Sequence, residues 1–181
     1  MKSSCGCLRL PLSEVVWLDN VVRVSSCESK AGRVIVGRIL PETDLIDGIL
    51  EICDRHGIKS GSIDVVLGSL RRFTFVYPVK DESQKLGVKY CDPVVIEGPI
   101  ELLSANGIVG LNQNGVKAIH LHAVVSDEMA NLHGGHVVKG NPVLVTVEVV
   151  IRELPDVNIV REMDEETGFP LFKFLTKGVK L

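Results

Sequence analysis

Aromatic residues are scarce in this chain of 181 residues: five Phe, two Tyr and one Trp make up 4% of it. Hydrophobic residues nonetheless reach 45%, so the core falls to Val, Ile and Leu, a composition that suits sheets. No window approaches the roughly 20 consecutive apolar residues of a helical membrane span, and the opening MKSSCGCLRLPLSEVVW breaks its apolar run too early for a secretory leader. The expectation is a cytoplasmic protein with no membrane partner. The five cysteines, Cys5, Cys7, Cys27, Cys53 and Cys91, are odd in number and contain no C-x-x-C, which excludes a disulfide framework and a thiolate zinc finger. Cys5 and Cys7 are the only close pair, and no role is assigned to them. Neither G-x-G-x-x-G nor a Walker loop is present, which disfavours the nucleotide folds. Excess positive charge is lacking too. Twenty Lys and Arg stand against 23 Asp and Glu, for a net charge of -3 and a pI near 6.0, which works against non-specific duplex binding.

What is present reads as one domain, since a chain of this length needs no second core. Residues 1–31 form a lead-in with a strand over 21–25, residues 32–154 the domain, and residues 155–181 a C-terminal arm that docks on its own domain or on a neighbouring subunit. RVIVGRIL, residues 33–40, is strand-like. PETD then supplies a turn and an N-cap, and Leu45, Ile49, Cys53 and His56 recur at helical spacing up to Gly57, suited to the C′ position. Beyond Gly61 the signal is almost wholly β. Strands are expected over 62–68, 72–79 (with Phe73, Phe75 and Tyr77 on a core face), 94–97, 100–111, 117–125 and 143–151, where the odd-numbered Val143, Val145, Val147, Val149 and Ile151 share one face. Asn114-Gly115 fits a turn with positive φ. One principal helix among seven to nine strands makes an α+β domain on a mainly antiparallel sheet.

Four of the five histidines fall in HLHAVVSDEMANLHGGH, residues 120–136. Strand alternation puts His120 and His122 on one face, their Cβ atoms roughly 6–7 Å apart. With the turn centred near Met129, His122 falls opposite His136 and His120 diagonal to it. Three imidazoles converging in this way make a candidate zinc site, His120, His122 and His136, that leaves a fourth position for water or substrate. Gly134-Gly135 allows a bend or bulge that would swing His136 toward the pair. His133 points away by parity. The alternative is three ordinary histidines on a half-buried strand pair.

The run from Arg33 to Glu153, about two thirds of the chain, resembles the PPC (plant and prokaryote conserved) domain. The matching blocks are LPETDLIDGILEICDRHGIKSGSI with VLGSL, then EGPIELLSANG, HLHAVVSD, GGHVVKG and VTVEVVI. Prokaryotic members are described as DNA-binding proteins with a PD1-like motif. The resemblance implies an α+β domain, a homotrimer, and a three-histidine metal site, commonly zinc at one per chain, that maps onto His120, His122 and His136. The AT-hook that precedes the domain in plant relatives has no counterpart here, so DNA is a weakly supported partner. In architecture the chain is also similar to acetolactate decarboxylases, which hold zinc with an H-x-H pair and a later His. That similarity implies the alternative of a zinc-dependent lyase or hydrolase acting on a small carbonyl substrate. Arg71, Arg72, Glu97 and Glu148 are candidates for its polar groups by chemistry alone.

Overall fold

The computed structural model describes residues 22–178; Cys5, Cys7 and Val21 lie outside that range. The strand expected over 21–25 does not form in its described part, 22–25. This segment is tied to the end of the chain instead. The Arg23 guanidinium donates two hydrogen bonds to the Glu166 carboxylate at 2.7 and 2.6 Å, and the Lys30 backbone N–H donates to Asp156 Oδ2 at 3.1 Å.

The first regular element is β1 (Val34–Ile39), followed by α1 (Leu45–Arg55). The helix starts where Asp44 caps it, with Oδ1 accepting from the Ile46 and Asp47 N–H groups. Oδ2 of the same carboxylate accepts from the N–H groups of Gly140 and Asn141, which fastens the helix to a distant loop. The helix ends at His56, and Gly57 follows with φ +66, the left-handed C′ residue that the sequence calls for. Leu45, Ile49 and Cys53 are fully buried, so the apolar stripe covers the sheet.

The remaining elements are β2 (Gly61–Val76), β3 (Pro78–Lys80), β4 (Val88–Tyr90), β5 (Val94–Asn112), β6 (Lys117–Ser126), β7 (Leu132–Val137), β8 (Val143–Glu153), β9 (Val157–Met163) and β10 (Pro170–Thr176). Among the described residues ten strands and one helix make the expected α+β domain. The strands expected over 62–68 and 72–79 join in β2, which ends at Val76 and leaves residues 78–79 to β3, and those over 94–97 and 100–111 merge into β5. Turn-like residues do not interrupt β5 because β2 carries a register shift between Leu70 and Arg72 opposite them. Gly98 packs there so closely that a Cβ would lie 2.3 Å from the Arg71 carbonyl oxygen.

Eight strands form one sheet in the order β1-β8-β2-β7-β6-β5-β9-β10, and β3 and β4 form a separate hairpin. β2 also pairs with β5, so β2, β5, β6 and β7 form a closed cycle of antiparallel pairs. β1 and β10 remain the outer strands of the sheet, and no strand is an edge within the cycle. Its narrowest point is the crossing of β7 and β2, where Phe75 pairs with Val137 and Val76 with His136. The C-terminal arm docks on its own domain: β9 runs parallel to the end of β5, with Leu111 opposite Val160 and Asn112 opposite Arg161.

Two core expectations need correction. Phe73 and Phe75 are buried and stacked at 4.7 Å, but Tyr77 is 44% exposed because β2 has ended before it. In β8, Val143, Val147, Val149 and Ile151 are fully buried while Val145 is 65% exposed. Gly68 pairs with Val147 and Leu70 with Val143, so the residues between are looped out of the ladder and the alternation is lost there.

Gly135 lies at the closure. A Cβ on it would stand 2.6 Å from Phe75 Cδ2 and 2.8 Å from the Val76 carbonyl oxygen. Gly135→Ala should therefore overpack the crossing and destabilise the protein by about 1–3 kcal/mol. Urea denaturation measures this, and parental stability would mean that β7 can move off β2 without penalty.

Candidate metal centre

On β6, Leu121, Ala123 and Val125 are buried in the core, so His120, His122 and Val124 project from the opposite face. The β6–β7 hairpin pairs His122 with His136, and the register runs unbroken to Ser126 opposite Leu132. The expected bulge at Gly134-Gly135 is absent. Plain antiparallel register brings His136 across, and the glycines serve the close approach to β2.

The three rings meet. His120 Nε2 lies 3.0 Å from His122 Nε2, and His136 Nδ1 lies 3.4 Å from the same atom. One ligand nitrogen from each ring falls within 4.8 Å of the others. Nitrogens bound tetrahedrally to zinc at about 2.0–2.1 Å stand roughly 3.3 Å apart, so two of the three spacings already suit such an ion. The donor set suits it too, since all three are imidazoles. Burial, and then the charges of His122 and Arg161, lower the pKa of His120; burial, with His120, His122 and Arg161 adding to it, brings His136 down to about 4. Those two rings are neutral at neutral pH, which is the form that ligates metal.

Neighbouring aromatics fix the rings. Tyr90 packs on His136 with centroids 5.5 Å apart, and Phe169 meets Tyr90 edge-on at 5.9 Å. Beside His120 and His136 opens a cavity of about 410 Å³, walled by the β3–β4 hairpin and by the β9–β10 hairpin. Its lining is mostly apolar, with Lys89 and Arg161 as its cations. His122 faces a second hollow, beside Asn106 and Gly134.

His133 lies outside the cluster, as its parity requires. Its Nε2 is 3.0 Å from Asp127 Oδ2, and Asp127 also accepts from the N–H groups of Met129 and Asn131. These bonds, led by that to His133, hold the Asp127 carboxyl far below the ordinary carboxylate range. His133 and Asp127 thus pin the hairpin that sets the register of His122 and His136.

The polar candidates named from chemistry alone do not reach the site. Arg71 pairs with Glu42, Arg72 donates to the Gly140 carbonyl, Glu97 sits opposite Arg72, and Glu148 accepts from Thr146. Arg161, Lys89 and Tyr90 were missed. Arg161 arrives through the parallel pairing of β9 with β5, which joins segments 49 residues apart (Asn112 and Arg161), and no local pattern announces such a contact.

Residues 27–155 match the family model of the Plants and Prokaryotes Conserved (PCC) domain, the PPC domain of the resemblance above. The chain belongs to this family. Solved PCC-like structures include a metal-containing protein from Archaeoglobus fulgidus, 25% identical, with a TM-score of 0.71 over 83% of this chain and 99% of that one. A plant- and prokaryote-conserved protein from Pyrococcus horikoshii is also 25% identical, with a TM-score of 0.70 over 84% of this chain and 99% of that one. Among curated proteins, a bifunctional GlmU protein of a Synechococcus species is 26% identical over 132 residues, 73% of this chain and 18% of that protein. The PCC chain thus spans about a fifth of the length of the curated relatives it matches. The β9–β10 hairpin, which walls the cavity, lies beyond the matched residues.

The lowered pKa of His136 has a consequence for the metal-free protein. A histidine at 6.5 when unfolded and about 4 when folded leaves the unfolded state binding more protons between those values. Its contribution to stability is present above pH 6.5 and is lost as the pH falls toward 4. The urea midpoint should decline over that window, and less so in His136→Gln. Identical declines in both proteins would remove His136 as a cause.

Proposed function

We propose that this PCC-domain chain is a cytoplasmic, homotrimeric metal protein that holds one zinc ion per chain on His120, His122 and His136, and that the ion serves a small ligand in the adjoining cavity. The observation that carries this reading is the convergence of three imidazole nitrogens within 4.8 Å at the edge of an apolar cavity. Three protein ligands leave one position of a tetrahedral ion uncommitted, the arrangement of catalytic rather than structural zinc. When bound, zinc supplies a Lewis acid that polarises a ligand oxygen. The chain's own residues do the rest. Tyr90 packs against His136, the two hairpins wall the cavity with apolar side chains, and Arg161 offers positive charge to the bound molecule. A lyase or hydrolase acting on a small carbonyl compound fits this arrangement.

The trimer draws support from the sheet. Among the described residues, Val36 (76%), Val145 (65%), Leu103 (49%), Val124 (46%) and Leu67 (44%) are exposed on strands, and one helix covers only one face. Apolar surface of this extent is a subunit interface in the reading advanced here. No described helix is long and apolar enough to cross a membrane.

Duplex DNA binding, which the resemblance implied, is the second reading. It is supported by the family rather than by the surface. Nine Lys or Arg side chains, Arg23, Arg33, Arg55, Arg71, Lys89, Lys117, Lys139, Arg152 and Lys173, lie against carboxylates. Affinity resting on phosphate neutralisation is then weak, of order 10⁻⁴ to 10⁻⁶ M at physiological salt.

Metal content of purified protein tests the first reading. One zinc per chain is expected, lost in His122→Ala and kept in His133→Ala, because two imidazoles hold zinc far less well than three. Equal loss in both variants would count against the assignment. Light scattering tests the assembly: three times the 19.7 kDa chain mass is expected, and a monomer at micromolar concentration would end the trimer.

A further inference from the structure

Arg161 is the cation that the fold leaves without a partner in the cavity. It sits half-buried on β9, and its Nε donates to the Pro170 carbonyl at 3.3 Å. Among the described residues no carboxylate lies within ion-pair reach of it, whereas the other cation of the lining, Lys89, is bound to Asp81 at 3.2 Å. Its charge bears on His120 and His136. A guanidinium held in an apolar recess beside a cationic metal centre is unfavourable unless an anion lies between them. The recess around it is built for an apolar body. Leu86, Val88, Tyr90, Phe169 and Phe172 line it, and about 410 Å³ accommodates a small molecule of about ten heavy atoms.

We propose that the cavity binds a small monocarboxylate with an aromatic or branched apolar body, its carboxylate held by Arg161 beside the three histidines and its body against Tyr90, Phe169 and Phe172. This rests on the ligand-binding reading above and names its chemical class. Planar, forked donors on Arg match a carboxylate and discriminate against neutral groups. Arg161, Phe169 and Phe172 all lie past residue 155, where the match to the family model ends. The hairpin β9–β10 thus supplies the side chains proposed to select the ligand, beside histidines that lie within residues 27–155.

Calorimetric titration of the zinc-loaded full chain with phenylacetate, phenylacetamide and acetate tests the proposal, with zinc content measured on each sample. Phenylacetate should bind about tenfold or more tightly than either of the others, the worth of a charge-assisted hydrogen bond or of the buried body. Arg161→Gln should abolish the preference for phenylacetate over phenylacetamide, and Arg161→Lys should keep part of it. Leu86→Asp, on a lining side chain 52% exposed, removes part of the apolar wall for both probes and adds a repelling charge for the acid, so it should weaken phenylacetate by a larger factor than phenylacetamide. Equal affinity for acid and amide, no binding of any probe, or an Arg161→Gln variant indistinguishable from the parent would each overturn it. Loss of zinc from the parent protein would instead sink the metal reading, and titration of the metal-free chain would still report on Arg161.

Discussion

The crossing of β7 over β2 is the constraint on which the rest of the structure depends. A sheet that closes through β2, β5, β6 and β7 has little freedom in register, because a slip of one residue in any pair must be matched around the cycle. Here the register is pinned at one end by the Asp127 turn and at the other by Gly135 against Phe75 and Val76. Between those two points the hairpin can place His122 and His136 in one way only. The histidine cluster is therefore a product of backbone register, which sets His122 opposite His136 and His120 two residues away on the same face.

The same closure separates two environments across one strand. On the core face of β6, Leu121, Ala123 and Val125 are buried among Val, Ile and Leu; on the other, His120, with His136 of β7, meets a cavity whose far walls come from β4 and the C-terminal hairpin. Among the described residues Arg161 stands there without a matching carboxylate, while Lys89, the other cation of the lining, is paired with Asp81. That pairing leaves Arg161 as the group that a negative ligand would meet. Residues of the PCC domain thus supply the three imidazoles, and the β9–β10 hairpin shapes what lies beside them.

Much of this was legible in the sequence because it rests on local rules. Asp44 as N-cap, Gly57 as C′ residue and the positive φ of Gly115 follow from the residues at hand. H-x-H on an alternating strand, with a turn centred near Met129, was enough to set His122 opposite His136. The failures share a cause of the opposite kind. Val145 leaves the core because a register shift against β2 intervenes, Tyr77 is exposed because β2 stops short of it, and the strand expected over 21–25 gives way to an ion pair with Glu166. Arg161 and Phe169 reach the site from the far end of the chain. Each of these depends on contacts between distant segments, which periodicity does not encode.

X-ray absorption at the zinc edge of the loaded protein is the most direct test of the claim that register alone assembles a metal centre. Three imidazole nitrogens at about 2.0–2.1 Å, with no sulfur, are expected for zinc on His120, His122 and His136. A spectrum showing thiolate ligands, or fewer than three imidazoles, would contradict it.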